Sequence, residues 1–306
     1  MSELILRLTT RRLNLTGRTL VMGIINLNPD SFAGDGTLDL DLAMAKARAM
    51  VAAGADLIDV GGESARTNRG AIAEQEEIDR VVPFLELLRA EFGALLSQSD
   101  FPIAITDGAN VFPPVLSINT WRPAVAEAAL LAGAEILNDM SGLPTNENAR
   151  IAARHGAALA IMHSVGEPKV AHTHVRYNDV MRALEDFFRE KISLALAAGL
   201  PRENILFDPG IDFAKQRDDN LRIFRELDRL RQFERPILLP ASRKTVIGEV
   251  LDLPEPADRD AGTIACIVAG MSHGASIFRV HNVAAAVQAA RIVQAASRDP
   301  STARQV

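Results

Sequence analysis

Short apolar runs alternate with longer segments of helical periodicity along most of the chain. Runs rich in Val, Ile and Leu predict eight β-strands, at 20–26, 55–60, 115–119, 134–139, 159–163, 205–210, 236–240 and 276–281. Such nearly continuous hydrophobicity is typical of parallel strands that are covered on both faces. The segments predicted as helices are 38–53, 123–133, 178–199, 217–232, 257–273 and 283–297.

This alternation predicts a parallel sheet with right-handed crossovers, and eight repeats predict its closure into an α/β fold, the (β/α)8 TIM barrel. The rival is an open, doubly wound sheet, but no G-x-G-x-x-G follows the first strand, which weakens a Rossmann interpretation. The 306 residues suit one barrel, which usually needs about 250. We expect a single domain over 1–306 with its core at about 18–296, and a surface loop or small hairpin at 94–114.

Composition narrows the class of protein further. Hydrophobic residues make up 48% and charged residues 24%, as in ordinary globular proteins. A net charge of −6 argues against nucleic-acid binding, and no apolar run is long enough to predict a membrane span. Cys266 is the only cysteine, so an intrachain disulfide is excluded and a cytoplasmic location is expected.

Polar residues follow nearly every predicted strand. The carboxyl ends of barrel strands meet at one mouth, where barrel enzymes carry out their chemistry. A lone Asn or Asp at a strand end is more often a cap or turn residue. Polar groups at eight strand ends nevertheless describe a concave site: Asn26, Asp59, Arg66, Asn119, Asn138, Asp139, Met162, His163, Asp208, Ser242, Lys244, Arg279 and His281.

The chemistry of this set favours a phosphorylated heterocyclic substrate. Carboxylate and amide groups suit a heterocycle that has hydrogen-bond donors and acceptors along its edge. Arg and Lys residues after strands seven and eight suit a phosphate group, which barrels often bind there. Arg66, on a Gly-rich loop, is a further candidate for an anion contact. The spacing alone does not name the substrate.

Six segments, in the right order, resemble the motifs of dihydropteroate synthases. They are MGIINLNPDSF (22–32), GADLIDVGGESAR (54–66), SINTWRPAVAEAALLAGAEILNDMSG (117–142), FDPGIDFAK (207–215), SRKTVIGEVL (242–251) and FRVHN (278–282). The first corresponds to the family pattern MGI-x-N-x-T-P-D-S-F. The similarity extends over roughly 18–296, so it covers nearly the whole chain.

The resemblance implies a (β/α)8 homodimer that needs Mg²⁺ and acts in folate biosynthesis. The reaction it implies condenses 6-hydroxymethyl-7,8-dihydropterin diphosphate with 4-aminobenzoate and releases pyrophosphate. It assigns the pterin to Asn119, Asn138, Met162, Asp208 and Lys244. It assigns the diphosphate to Asn26, Arg66, Arg279 and His281, with Asn26 also on Mg²⁺, and 4-aminobenzoate to Ser242, Pro29 and Phe32. Of these, the catalytic set is Asn26, Arg66, Asp208, Lys244, Arg279 and His281.

Several positions depart from the family pattern. The departures are Asn119 and Asn282 for Asp, Asn28 and Ala65 for Thr, Thr67 for Pro, and Asp212 and Ala214 for Gly. Asn119 matters most, because an amide replaces one hydrogen-bond acceptor of a carboxylate with a donor. Loss of a charge-assisted hydrogen bond is worth about 1.5–3 kcal/mol, or roughly one to two decades of affinity or rate.

Three hypotheses follow. The first is an active dihydropteroate synthase with altered loops. The second is a divergent paralogue with weak or different transferase activity, or one that only binds a pterin. The third is another pterin-binding barrel, such as a methyltransferase domain. The presence of Asn26, Arg279 and His281 favours an enzyme that still handles pyrophosphate.

Overall fold

The computed structural model consists of a short hairpin followed by a barrel of strands and helices. It describes residues 3–29, 36–64, 70–94, 111–170 and 172–297. The strands in these ranges are β1 (Ile5–Arg7), β2 (Arg12–Asn14), β3 (Leu20–Asn26), β4 (Leu57–Gly61), β5 (Val115–Asn119), β6 (Ile136–Asp139), β7 (Ala158–Met162), β8 (Ile205–Asp208), β9 (Leu238–Leu239) and β10 (Ile277–Val280). The α-helices are α1 (Leu40–Ala52), α2 (Glu74–Ala94), α3 (Pro123–Ala132), α4 (Glu147–His155), α5 (Val180–Ala197), α6 (Arg217–Glu226), α7 (Thr245–Leu251), α8 (Asp260–Ser272) and α9 (Val283–Ser297).

Strands β3 to β10 form one parallel sheet that closes on itself. Neighbouring strands follow the order β8-β7-β6-β5-β4-β3-β10-β9. A parallel bridge between Phe207 and Ile237 joins the two ends, and the backbone N–H of Phe207 donates to the carbonyl of Pro236 at 2.9 Å. The predicted (β/α)8 barrel is therefore confirmed.

Two hydrophobic cores hold the barrel together. The outer core lies between the sheet and the surrounding helices and includes Phe188 and Phe207, whose ring centroids are 4.4 Å apart. The inner core fills the amino-terminal end of the barrel, where Leu6 and Leu13 of the β1–β2 hairpin pack against side chains such as Met22. The hairpin thus closes the end of the barrel opposite the mouth.

The hairpin extends the core beyond the predicted limit at residue 18. Arg11 anchors it, since its guanidinium pairs with the Glu135 carboxylate at 2.5 Å and donates to the carbonyl of Pro113 at 2.7 Å. Strand β1 of the hairpin is anchored as well, since the Arg235 guanidinium donates to the backbone carbonyl of Ile5. Three residues per strand are too few for an alternating pattern to predict them.

The eight predicted strands and six predicted helices all have observed counterparts, with small differences at their ends. The predicted helix at 217–232 ends at Glu226 and continues as a 3-10 helix, Leu227–Phe233, and a 3-10 turn precedes α8. Sequence analysis did not predict α2, α4 or α7. Of the predicted loop at 94–114, residues 95–110 lie outside the described residues. Among the helices described, none has the length and hydropathy needed to cross a membrane.

Candidate active site

The register of the sheet brings the predicted residues to one level at the mouth of the barrel. Asn26 of β3 pairs with Gly61 of β4, and Gly61 pairs with Asn119 of β5. Asn119 in turn pairs with Asn138 of β6. On the far side of the barrel, Met162 of β7 pairs with Asp208 of β8. Residues that are up to 58 positions apart in the chain are therefore neighbours here because parallel strands share one register.

Alternation along each strand decides which side chains face the cavity. In β10, Arg279 lines the cavity, as does His281 directly after the strand, whereas Phe278 and Val280 lie in the outer core. In β8, Asp208 lines the cavity and Phe207 points outward. The period of two is a property of extended backbone, so the polar residues at alternate positions necessarily share the inner face.

A cavity of about 250 Å³ opens at this mouth. The predicted site residues that line it are Asn26, Asn119, Asn138, Met162, Asp208, Ser242, Lys244, Arg279 and His281. Other lining residues that sequence analysis did not place in the site are Glu63, Ser64, Met140, Asp212, Phe213 and Thr245. Pro29, the last described residue before position 36 of the first loop, is exposed. Phe32 and Arg66 lie outside the described residues.

Asp59 is a buried carboxylate below the floor of the cavity. The strand-end pattern included it in the concave site, but the family resemblance assigned it no substrate. Its Oδ2 accepts from Arg279 Nε at 2.6 Å, and its Oδ1 accepts from Ser117 Oγ at 2.5 Å. Asn138 Nδ2 lies 3.3 Å from both oxygens. Asp59 therefore orients one diphosphate candidate and one pterin candidate together. The signal was a charged residue inside the apolar run ADLIDV.

Asp208 is a buried carboxyl group at the end of β8. The backbone N–H of Gly210 donates to its Oδ1 at 2.7 Å. Burial raises the pKa of Asp208 to about 6, while the nearby charges of Lys244, Lys215 and Arg279 oppose that rise. The group is ionised at neutral pH but costly to keep charged, so a ligand that donates hydrogen bonds to it is favoured.

Lys244 brings a half-buried amine to the same side of the cavity. Its Nζ donates to the carbonyl of Ile211 at 2.9 Å and lies 4.7 Å from the centre of the Phe213 ring. Burial lowers the pKa of Lys244, and the carboxylates of Asp212 and Asp208 act against that effect. An amine held by one carbonyl has further N–H groups to offer a bound molecule.

Ser242 and His281 form a pair between the ends of β9 and β10. Ser242 Oγ lies 2.8 Å from His281 Nδ1 and accepts from the backbone N–H of His281 at 3.1 Å. The serine hydroxyl therefore orients the imidazole ring, which lines the cavity next to Arg279. An imidazole and a guanidinium side by side suit a bound anion.

A second buried pair, Lys215 and His163, lies behind Asp208. Lys215 Nζ is 2.9 Å from His163 Nδ1 and donates to the carbonyl of Phe213 at 3.0 Å. Burial lowers the pKa of Lys215 to about 7 and that of His163 well below 6.5. The strand-end pattern placed His163 at the mouth of the barrel. It does not line the cavity but packs edge-on against Phe187, with ring centroids 4.8 Å apart, as a packed core histidine does.

Lys169 connects the described ends of the second loop. Its Nζ pairs with Glu63 Oε1 at 2.9 Å and donates to the carbonyls of Ser64 and Gly70, both at 3.1 Å. Arg122 pairs with the other Glu63 oxygen at 2.8 Å. Sequence analysis missed these contacts, because the three segments that make them are far apart in the chain.

Asn282, one of the departures from the family pattern, has a structural role. Its Nδ2 donates to Asp260 Oδ2 at 2.9 Å, and its Oδ1 accepts from the backbone N–H of Ala285 at 3.2 Å. The amide thus caps the first turn of α9 and ties it to α8. Asp260 also holds Arg243 at 2.7 Å.

Fold and site together define a barrel whose mouth combines buried amide and carboxylate groups with a cationic corner, an arrangement that suits an anionic heterocycle. Residues 22–98 and 103–281 match the family model described as pterin binding enzyme. A dihydropteroate synthase from Synechocystis is 37% identical over 280 residues, which cover 91% of this chain and 90% of that protein.

Solved structures agree with this assignment. Dihydropteroate synthase from Yersinia pestis, in complex with a sulfonamide drug, superposes with a TM-score of 0.84 at 36% identity and covers 96% of this chain and 98% of its own. The Xanthomonas albilineans enzyme with 4-aminobenzoic acid gives a TM-score of 0.80 at 33% identity, covering 96% and 99%. The chain belongs to the dihydropteroate synthase family.

Proposed function

We propose that this cavity condenses 6-hydroxymethyl-7,8-dihydropterin diphosphate with 4-aminobenzoate, giving 7,8-dihydropteroate and pyrophosphate. One observation carries the proposal: a single cavity is lined by Asp208, Lys244 and Asn138 and also by Arg279 and His281. The first group suits the edge of a pterin, and the second suits its diphosphate. A substrate that carries both a pterin and a diphosphate would contact both groups within this one cavity.

The pterin would lie against Met162 with its polar edge toward Asn119, Asn138, Asp208 and Lys244. Met162 is a buried, apolar surface of the cavity floor. A polarizable thioether is a suitable contact for a flat ring. Binding of donors on the pterin would stabilise the ionised form of Asp208, whose burial is otherwise unfavourable.

In the reaction, the bond between the pterin methylene carbon and the diphosphate oxygen breaks, and the electron pair leaves on pyrophosphate. Arg279 and His281 are placed to stabilise that negative charge, and Asp208 the cationic pterin that remains. The amine of 4-aminobenzoate then forms the new carbon–nitrogen bond and loses a proton. The residues that line the cavity bind and orient, so no covalent intermediate with the protein is needed.

Magnesium fits this donor set. No cluster of three His, Cys, Asp or Glu side chains able to hold a metal occurs in the part of the chain that the structure describes. Mg²⁺ usually keeps several waters and binds one or two protein oxygens together with substrate phosphates. Asn26, on the cavity wall, would supply the protein oxygen. When bound, the ion would neutralise charge on the diphosphate.

The aminobenzoate would lie nearer the solvent, beside Ser242 and under the first two loops. Ser242 is on the cavity wall, whereas the contributions of Pro29 and Phe32 and the diphosphate contact of Arg66 are predictions from the family motifs. Closed loops would keep water away from the cationic pterin, which water would otherwise capture.

A homodimer is the assembly we propose. Val268 of α8 is 38% exposed and Ile292 of α9 is 71% exposed, so the two packed helices present apolar groups on the surface. A second copy would cover them. Analytical ultracentrifugation should then give twice the chain mass of 33.0 kDa, and a sedimenting mass of one chain at micromolar concentration would exclude the dimer. The cytoplasmic location stays a prediction.

The direct test of the function is release of pyrophosphate by the purified protein with both substrates and Mg²⁺. We expect turnover that depends on 4-aminobenzoate and is lost in Arg279→Ala. The matched control is Arg182→Ala, an exposed arginine of α5 that does not line the cavity. No pyrophosphate at high enzyme concentration would contradict the proposal. A divergent paralogue with weak turnover is the second candidate, and the amide of Asn119 is the observation in its favour.

A further inference from the structure

The loop after β8 contains two residues other than glycine in left-handed backbone, Asp212 with φ 68° and Ala214 with φ 51°. Both stand where the motif of the family has glycine. Left-handed backbone is unfavourable for a residue with a side chain, although Asp tolerates it better than most. The strain at Asp212 therefore calls for a compensating interaction of its side chain.

The carboxylate of Asp212 provides that interaction by joining the loop to the start of α7. Its Oδ2 accepts from the backbone N–H of Thr245 at 2.5 Å, and its Oδ1 from that of Val246 at 3.3 Å. Asn220 of α6 donates to Oδ1 at 3.2 Å. The residue at the N-cap of α7 is Lys244, whose side chain makes no capping hydrogen bond. Asp212 therefore caps α7 from a different element.

This cap lies directly behind the pterin-facing amine. Thr245 is the next residue after Lys244, so the hydrogen bond to Asp212 fixes the backbone from which the Lys244 side chain reaches the cavity. The neighbouring residue of the same loop, Ile211, accepts from the amine itself at 2.9 Å. The loop therefore holds Lys244 at both ends of its side chain.

The second relation between Asp212 and the site concerns the negative charge in the cavity. Asn119 brings an amide where the family has a carboxylate, and Asp212 brings a carboxylate where the family has no side chain. Both residues line the same cavity. The two departures together leave its total charge unchanged, although the negative charge has moved from β5 to the loop after β8.

We propose that Asp212 is a positioning residue for Lys244, which caps the backbone behind the amine and returns to the cavity the negative charge that Asn119 does not supply. The inference deepens the proposed function and rests on it for the identity of the ligand. It assigns a role to a residue that the family pattern does not contain.

The amine of Lys244 is surrounded by titratable groups from several elements. Those facing Lys244 or Asp212 are Asp208 of β8, Lys215 of the same loop, Arg279 of β10 and the Cys266 thiol of α8. Among the charges that favour the protonated amine, Asp212 has the largest effect on the pKa of Lys244, ahead of Asp208. Removal of the Asp212 charge should therefore lower that pKa, so that the amine loses its proton at a lower pH.

The experiment compares Asp212→Gly and Asp212→Asn with Ala214→Gly as the matched control. Ala214→Gly introduces glycine at the other left-handed position without removing a hydrogen bond or a charge. Steady-state pyrophosphate release is measured between about pH 6 and pH 10, a range that spans a lowered lysine pKa. We expect Asp212→Gly to raise KM for the pterin diphosphate about tenfold, with a smaller change in kcat, and to shift the alkaline limb of kcat/KM to lower pH.

Asp212→Asn separates the capping of α7 from the negative charge that Asp212 supplies to the cavity. Its amide oxygen can still accept from Thr245, so we expect it to keep the wild-type melting temperature while shifting the alkaline limb as Asp212→Gly does. Ala214→Gly should keep the wild-type KM and pH profile. Adding Asn119→Asp to Asp212→Gly should restore much of the lost affinity, because the charge returns on β5.

Two results would overturn the proposal. One is a wild-type KM and alkaline limb in both Asp212 variants, and the other is an equal rise in KM in Ala214→Gly. If the wild-type protein releases no pyrophosphate, the proposed function fails, but the role of Asp212 is still tested. Calorimetric affinities for 6-hydroxymethylpterin over the same pH range should then fall in both Asp212 variants, and unchanged affinities would refute it.

Discussion

At the scale of single residues, the site is a set of buried polar groups whose partners are mostly other site residues. Asp59 illustrates this, since it is completely buried and holds both Arg279 and Asn138. Its cost of burial is offset by charge-assisted hydrogen bonds. Asn119 is the site residue whose side chain is least suited to the proposed reaction. It is an amide, whereas a carboxylate at this position would stabilise the cationic pterin.

Asn119→Asp should therefore increase turnover. We expect kcat/KM for the pterin diphosphate to rise by about one decade, in line with the worth of one charge-assisted hydrogen bond. The measurement is steady-state kinetics at saturating 4-aminobenzoate. Because Asp212 already places a carboxylate in the cavity, the gain should be larger in the Asp212→Gly background. An unchanged kcat/KM in both backgrounds would show that Asn119 does not face the substrate.

At the scale of elements, the barrel separates stability from function. The mouth carries the polar residues, while the β1–β2 hairpin fills the opposite end with leucines. The leucines of the hairpin pack at the end of the barrel opposite the site residues. Substitutions in the hairpin should therefore change the stability of the barrel without changing its catalytic activity.

Leu13→Ala tests this separation. Leu13 is fully buried in the inner core, so the substitution should lower the free energy of unfolding by about 2–5 kcal/mol through lost burial and a residual cavity. The control is Leu131→Ala at a leucine of α3 that is 65% exposed, where we expect a change within about 0.5 kcal/mol. Urea unfolding measures both. KM values should stay at wild type at a temperature where Leu13→Ala is folded, and a raised KM would contradict the separation.

At the scale of the whole molecule, the buried carboxyl of Asp208 makes stability depend on pH. Its pKa is raised to about 6 in the folded protein, so between about pH 4 and pH 6 the folded state binds more protons than the unfolded state. The contribution of this group to stability is therefore most favourable at low pH and is lost as pH rises to about 6. Above that pH it is constant.

Asp208→Asn should remove the loss of stability that ionisation of Asp208 causes between about pH 4 and pH 6, at the expense of activity. We expect the variant to gain stability relative to wild type between about pH 4 and pH 6, by up to about 3 kcal/mol for a rise of two pKa units, and to keep that gain at pH 8. Activity should fall strongly, because the carboxylate is lost. Urea unfolding of both proteins at several pH values measures the difference, and a difference that does not change with pH would mean that Asp208 is not the group involved.

The relation between sequence and structure differs from element to element. The barrel strands were predictable because each is a continuous apolar run, and α3 because Pro123 and Gly133 mark its two ends. Helix α2 was missed since it is rich in charge and contains Pro83, and α7 since seven residues are too few for a helical period. Nine of the assigned site residues line the cavity, because they lie at the carboxyl ends of the strands or in the loops that follow them.

The sequence by itself determined the barrel, its polar mouth and the family, because strand alternation and local motifs are properties of contiguous residues. Only the tertiary structure decided how the polar groups are paired. Asp59 with Arg279, Lys169 with Glu63, and Asp212 with the start of α7 join segments that are 33 to 220 positions apart in the chain. Such pairs depend on the register of the strands and the path of the loops, which no local pattern specifies.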